Sequence, residues 1–163
     1  MAAQPLIEAL ALLLQEQQAL HRLAEEKTEA LKKGDMKELE RLLSEEDERV
    51  KALQQAEELR QKAVSQFLRQ KGLADEDITL SVLIKLVSRD EGERLKELRE
   101  SLIEGISALK KRNELNRQLT TQSLQFVNAT LEMLAPQSKS VTYSRPDDRQ
   151  EEENRRSMFD SRA

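Results

Sequence analysis

The 163-residue sequence has no cysteine and no tryptophan, four glycines, three prolines, three phenylalanines and one tyrosine. Each scarcity excludes something. Without cysteine there is no disulfide framework, thiol nucleophile or thiolate zinc site. So few glycines leave little for phosphate-cradling loops, and Gly72, Gly92 and Gly105 form no such motif. A β-sandwich would want more β-branched, aromatic and turn residues than are present. The longest apolar run, residues 9–14, is six residues, against the roughly 20 that a membrane span needs. The opening Met1-Ala2-Ala3-Gln4-Pro5 carries no basic residue, so it is not read as a signal peptide and a cytoplasmic location is expected.

What is abundant is leucine, 27 residues, and charge, 36% of the chain. A length of this size suits one domain. A composition rich in Ala, Glu, Lys, Leu and Arg points to long helices. The 27 basic and 31 acidic residues give a net charge of −4. They are mixed along the whole chain, and no basic face stands out for nucleic acid.

Apolar residues at alternating spacings of three and four predict an all-α fold: an antiparallel bundle or coiled coil of three long helices plus one short helix. The first helix covers residues 5–33, with Leu6, Leu10, Leu13, Leu20, Ala24 and Leu31 on its seam and Gln17 and Lys27 filling gaps. Gly34 supplies a left-handed stop. Asp35 and Glu38 read as a capping box for a second helix reaching residue 70. Its expected seam is Met36, Leu39, Leu43, Val50, Leu53, Val64 and Phe67, with Glu46, Glu57 and Arg60 as gaps. The tight hinge folds the two helices into an antiparallel hairpin. A short helix over residues 80–87, with Thr79 as cap, precedes a long one over residues 91–134, for which Asp90 and Glu93 read as a second capping box. The long helix opens on Leu95, Leu98, Leu102, Ile106 and Leu109. It turns polar, then regains apolar residues from Leu115 to Leu134. Residues 1–136 form the expected bundle. Residues 137–163, with no leucine or isoleucine, form an expected flexible tail.

No catalytic constellation, metal-ligand set or cofactor motif emerges. His21 is the single histidine, flanked by leucines and Arg22, and reads as a surface or boundary residue. The acidic run Glu45-Glu46-Asp47-Glu48 fans around a helix axis and reads as a solvated face. Asn113 and Asn116 admit two readings: boundary residues, or a polar layer at the entrance to a binding surface. Leu119, Leu124, Phe126, Val127, Leu131 and Leu134 are either core or a stripe that takes an amphipathic partner helix. Tyr143, Met158 and Phe159 are either incidental or anchors of a tail motif that orders on binding.

Three stretches resemble the FlgN family of flagellar export chaperones. One is Leu20-His21-Arg22-Leu23-Ala24-Glu25-Glu26-Lys27 followed by residues 31–39, Leu-Lys-Lys-Gly-Asp-Met-Lys-Glu-Leu. Another is Thr79-Leu80-Ser81-Val82-Leu83-Ile84. The most specific is Arg112-Asn113-Glu114-Leu115-Asn116 with Ser123-Leu124-Gln125-Phe126-Val127 and Leu131. The resemblance spans residues 5–134. It implies a cytoplasmic, non-enzymatic chaperone that holds terminal amphipathic segments of hook–filament junction proteins and delivers them to the flagellar type III export gate. It also implies that Asn113, Asn116, Leu119, Phe126, Val127 and Leu131 bind the partner. Tyr143 would correspond to a gate-contacting tyrosine, although Ser144-Arg145-Pro146-Asp147 follows it in place of the family's glycines. The competing reading is a self-associating structural coiled-coil adaptor with no export role.

Overall fold

The computed structural model describes residues 3–73 and 79–135. It contains helices α1 (Gln4–Lys33), α2 (Met36–Gln70), α3 (Leu80–Lys85) and α4 (Arg89–Leu134). No strand occurs among the described residues, and the all-α architecture of three long helices and one short one is observed. The chain divides into two compact units, Met1–Thr121 and Gln122–Ala163. The tail expected from residue 137, with Tyr143, Met158 and Phe159, lies outside the described residues.

Local chemistry sets the helix ends. Pro5 stands in the first turn of α1, where a missing N–H is harmless. Gly34 ends α1 at φ +67°. Its N–H donates to Leu31 O at 3.3 Å, and that of Asp35 donates to Ala30 O at 3.0 Å. This paired closure satisfies carbonyls the helix would leave bare. Gly72, also at φ +67°, closes α2 the same way, with Leu73 N–H donating to Leu68 O at 2.9 Å. Asp35 caps α2 by accepting from Glu38 N–H at 3.1 Å. The return half of that capping box is absent, because the Glu38 carboxylate turns to Arg41. The Arg41 hydrogen bonds hold Glu38 below the usual carboxylate range.

The start of α4 departs from expectation. The cap is Ser88, not Asp90: its hydroxyl accepts from Glu91 N–H at 3.3 Å and donates to Glu91 Oε1 at 3.1 Å. The other Glu91 oxygen accepts from Ala3 N–H at 2.9 Å. α1 has no side-chain cap from its own first turn, so Glu91 serves the N-termini of two helices at once. That double duty favours the Ser88 register. The short helix also stops at Lys85 rather than at residue 87.

α1 and α2 form the expected antiparallel hairpin. Lys27 Nζ lies 2.9 Å from Glu46 Oε2, and Arg49 Nη1 lies 3.5 Å from Glu16 Oε2. Two polar interruptions of the apolar pattern, Lys27 and Glu46, are thus partners. The expected seam of α2 holds at Phe67, which is buried, and at Leu39, Leu53 and Val64, which pack against the apolar clusters, and is corrected elsewhere. Leu42, Ala56, Ala63 and Phe67 are buried, whereas Met36, Leu43 and Val50 are 70%, 45% and 38% exposed. The seam runs through alanines, which let two helix backbones approach closely. A pattern read by side-chain size favours the leucine stripe instead. The main core joins Leu6, Leu10 and Leu13 to Ala56, Ala63, Phe67, Leu83, Leu95 and Leu98. A second cluster near the hinge holds Leu23, Ala30 and Leu42.

In the first unit, α4 runs parallel to α1. Leu95 and Leu98 are buried, and Leu102, Gly105 and Leu109 are half-buried. Ile106, expected on the seam, is 46% exposed, because Gly105 takes that place. The buried Gln17 side chain crosses from α1 and donates through Nε2 to Leu102 O at 3.1 Å. Its Oε1 occupies the space a Gly105 side chain would need.

This contact yields a test. In a chain carrying Gln17→Ala, Gly105→Ala should stabilise by about 0.5–1 kcal/mol through helix propensity. In the unaltered chain it should destabilise by about 1 kcal/mol, since the Gln17 amide is displaced and its buried hydrogen bond lost. Urea unfolding of the four chains measures the coupling. Equal stabilisation in both backgrounds would show that Gln17 and Gly105 do not interlock.

Candidate partner-binding surface

The sequence-derived site residues fall into two groups, one in each unit. In the first unit, Asn113 is exposed, Leu119 half-buried and Asn116 buried at 4% exposure. Asn116 is a rung between α4 and α1. Its Nδ2 donates to Ala24 O at 2.8 Å. Thr28 Oγ1 stands 2.6 Å from Asn116 Oδ1 and 3.0 Å from Ala24 O, and donates its one proton to either. Arg112 Nη1 approaches the same hydroxyl at 3.5 Å. A buried amide is tolerated here because both its polar ends are engaged. The Asn116 side chain therefore spends its hydrogen bonds inside the chain. Thr28 was not among the expected site residues. The clue available in the sequence is its place one turn beyond Ala24 on the α1 seam, where an apolar residue would be the default.

Outward of this rung, Arg117 donates to both Glu114 oxygens, at 3.0 and 2.7 Å. These bonds hold the Glu114 carboxyl below the usual range. His21 Nδ1 pairs with Glu25 at 3.3 Å one turn away, beside a cleft of about 520 Å³ that Ser101 and Glu104 of α4 also line. No group of three or more potential metal ligands occurs among the described residues, and no described helix is long and apolar enough to cross a membrane.

The second unit contributes residues 122–134 of α4. Here Phe126 is 74% exposed, Val127 50% and Leu131 58%. The structure also exposes Leu124, Met133 and Leu134. Leu124, Val127, Leu131 and Leu134 recur at three- and four-residue spacing and share one face. Phe126 and Met133, seven apart, widen the apolar surface on one side. Met133 is an addition to the expected set, legible from that spacing. Between them Thr130 turns its hydroxyl back to Phe126 O at 2.8 Å, which leaves its methyl as the outward group. Gln122, Gln125, Asn128 and Glu132 lie on the opposite half by the same periodicity. An amphipathic helix with a bare apolar half binds by burying it.

A family model described as FlgN protein matches residues 1–151. Bacillus subtilis (strain 168) has a relative named YvyG, described as uncharacterized. It is 41% identical over 145 residues, which cover 89% of this chain and 88% of that protein. No solved structure matches.

The two asparagines should behave differently. Asn116→Ala is expected to destabilise by about 1–3 kcal/mol, since Thr28 loses a partner and the Ala24 carbonyl loses its Asn116 donor in a buried setting. Asn113→Ala should stay within about 0.5 kcal/mol. Urea unfolding monitored by far-UV circular dichroism checks both. A similar small effect at both positions would contradict the rung.

Proposed function

This chain belongs to the FlgN family, and from that premise we propose that it is a cytoplasmic export chaperone. It holds terminal amphipathic segments of hook–filament junction proteins, prevents their premature polymerisation and delivers them to the flagellar type III export apparatus. Family membership supports the coarser role of a flagellar assembly chaperone. The observation that carries the finer one is the exposed apolar half of residues 122–134, formed by Leu124, Phe126, Val127, Leu131, Met133 and Leu134.

The physics suits a holding function. A terminal segment freed from its assembly partners exposes an apolar stripe that would self-associate. A helix offering a matching stripe covers it at about 25 cal/mol per Å² of buried apolar surface. Ordering the segment offsets much of that gain. The net is a moderate, reversible affinity, which a hand-over to the export gate requires. Phe126, Val127 and Leu131 are the contacts we assign to the stripe. Asn113, Asn116 and Leu119 are proposed on the family resemblance, with Asn116 acting by holding α4 against α1. Tyr143, Met158 and Phe159 are proposed as tail contacts with substrate or gate. The reading assigns no cofactor and no catalytic step.

The alternative, a self-associating coiled-coil adaptor, is favoured by one observation: Met36, Leu43 and Val50 recur every seven residues on α2 and are exposed. Light scattering separates the two, since that adaptor is a dimer or larger at all working concentrations.

Calorimetric titration with the terminal segments of the host's junction proteins tests the chaperone reading. Roughly micromolar or tighter binding is expected. The pair Phe126→Asp and Leu131→Asp should abolish it while helicity survives, because both side chains are solvent-exposed. Retained binding, or helicity that collapses, would refute the assignment of the stripe.

A further inference from the structure

The stripe has an unusual setting. Residues 118–135 contain a single charged side chain, Glu132, in a chain that is 36% charged. Eight of these eighteen residues are Gln, Asn, Ser or Thr. The preceding part of the same helix is different: nine of the twelve residues 89–100 are charged. Charge is thus withdrawn from the segment whose apolar half is bare.

We propose that this surface selects partner helices whose apolar stripe is flanked by uncharged polar residues, and that it binds them almost independently of salt. The inference rests on the chaperone reading and adds the chemistry of the partner. Asn128 borders the apolar band beside Leu124 and Leu131, and Gln122 borders it beside Phe126. These amides both donate and accept. Covering a neutral amide costs far less before it finds a partner than covering an ion, which needs an opposite charge to offset it. Among the described residues, a partner flanked by Lys or Glu would find no counter-charge on this rim and would bury its own charges unpaired. A partner flanked by Gln, Asn, Ser or Thr exchanges hydrogen bonds with Asn128 and Gln122 on equal terms. Glu132 lies with Gln125 on the far half of the helix, away from the contact. Since attraction between opposite charges plays no part at this rim, contact with residues 122–134 is unsteered and screening has little to act on there.

The test titrates the full chain with the junction-protein terminal segments at about 0.1 M and about 1 M salt, which shortens the Debye length from roughly 10 to 3 Å. Alongside run two synthetic amphipathic peptides that share one apolar stripe, one with Gln/Asn/Ser/Thr flanks and one with Lys/Glu flanks. The expected results are a change of less than about twofold between the salts and an affinity for the neutral peptide at least about tenfold above that for the charged one. Asn128→Lys should weaken the neutral peptide about tenfold, and Gln125→Lys should leave it unchanged. Junction segments that bind but weaken about tenfold or more in salt would overturn the neutral-rim inference and leave the chaperone reading standing. So would equal affinity for the two peptides, or failure of both to bind. Junction segments that fail to bind, with the neutral peptide still preferred, would overturn the chaperone reading and leave the rim chemistry intact.

Discussion

Register between α1 and α4 is the constraint on which the first unit depends. Leucine seams alone do not set it, because a heptad pattern shifted by seven residues buries nearly the same surface. Polar rungs do. Ala3 N–H meets Glu91 across 88 residues, Gln17 meets Leu102 across 85, and Thr28 meets Asn116 across 88. The near-constant separation is what two parallel helices of equal rise produce. A slip by one heptad would strand all three rungs, leaving buried polar groups unpaired. The rungs thus trade some apolar burial for a single alignment, which positions Leu95 and Leu98 in the core and Asn116 beside Ala24.

The same logic explains why the seam of α2 is built from alanines and ion pairs. Ala56 and Ala63 give little area each, but their smallness lets α1 and α2 approach closely, and they share one core with Leu6, Leu10, Leu13 and Phe67. Near the hinge the apolar cluster is small, and Lys27 with Glu46 reinforces it. Partly exposed pairs of this kind contribute modestly to stability. Their value lies in matching the two helices at one alignment. The first unit carries a tightly keyed frame, and residues 122–134 carry apolar surface directed to solvent.

Much of this was legible in the chain. Gly34 and Gly72 stop their helices, and Asp35 starts one, because the left-handed backbone and the cap oxygen are properties of single residues and their immediate neighbours. The apolar stripe of residues 124–134 was legible for the same reason, since its periodicity is local. Two readings of Leu119, Leu124, Phe126, Val127, Leu131 and Leu134 stood open on the sequence, core or surface. Burial separates them: Leu119 is half-buried, and the other five are exposed.

The amino-acid sequence by itself therefore determined helix number, approximate limits, hairpin topology and the family. Propensity, capping and short-range spacing act within a few residues and need no partner. Only the tertiary structure decided which stripe of α2 faces α1, that Ser88 rather than Asp90 caps α4, and that Gly105 makes room for Gln17. It also turned Asn116 from an ambiguous polar residue into a hydrogen-bonded rung. Those outcomes depend on groups between 19 and 92 residues away, whose shapes and unpaired donors no local pattern records.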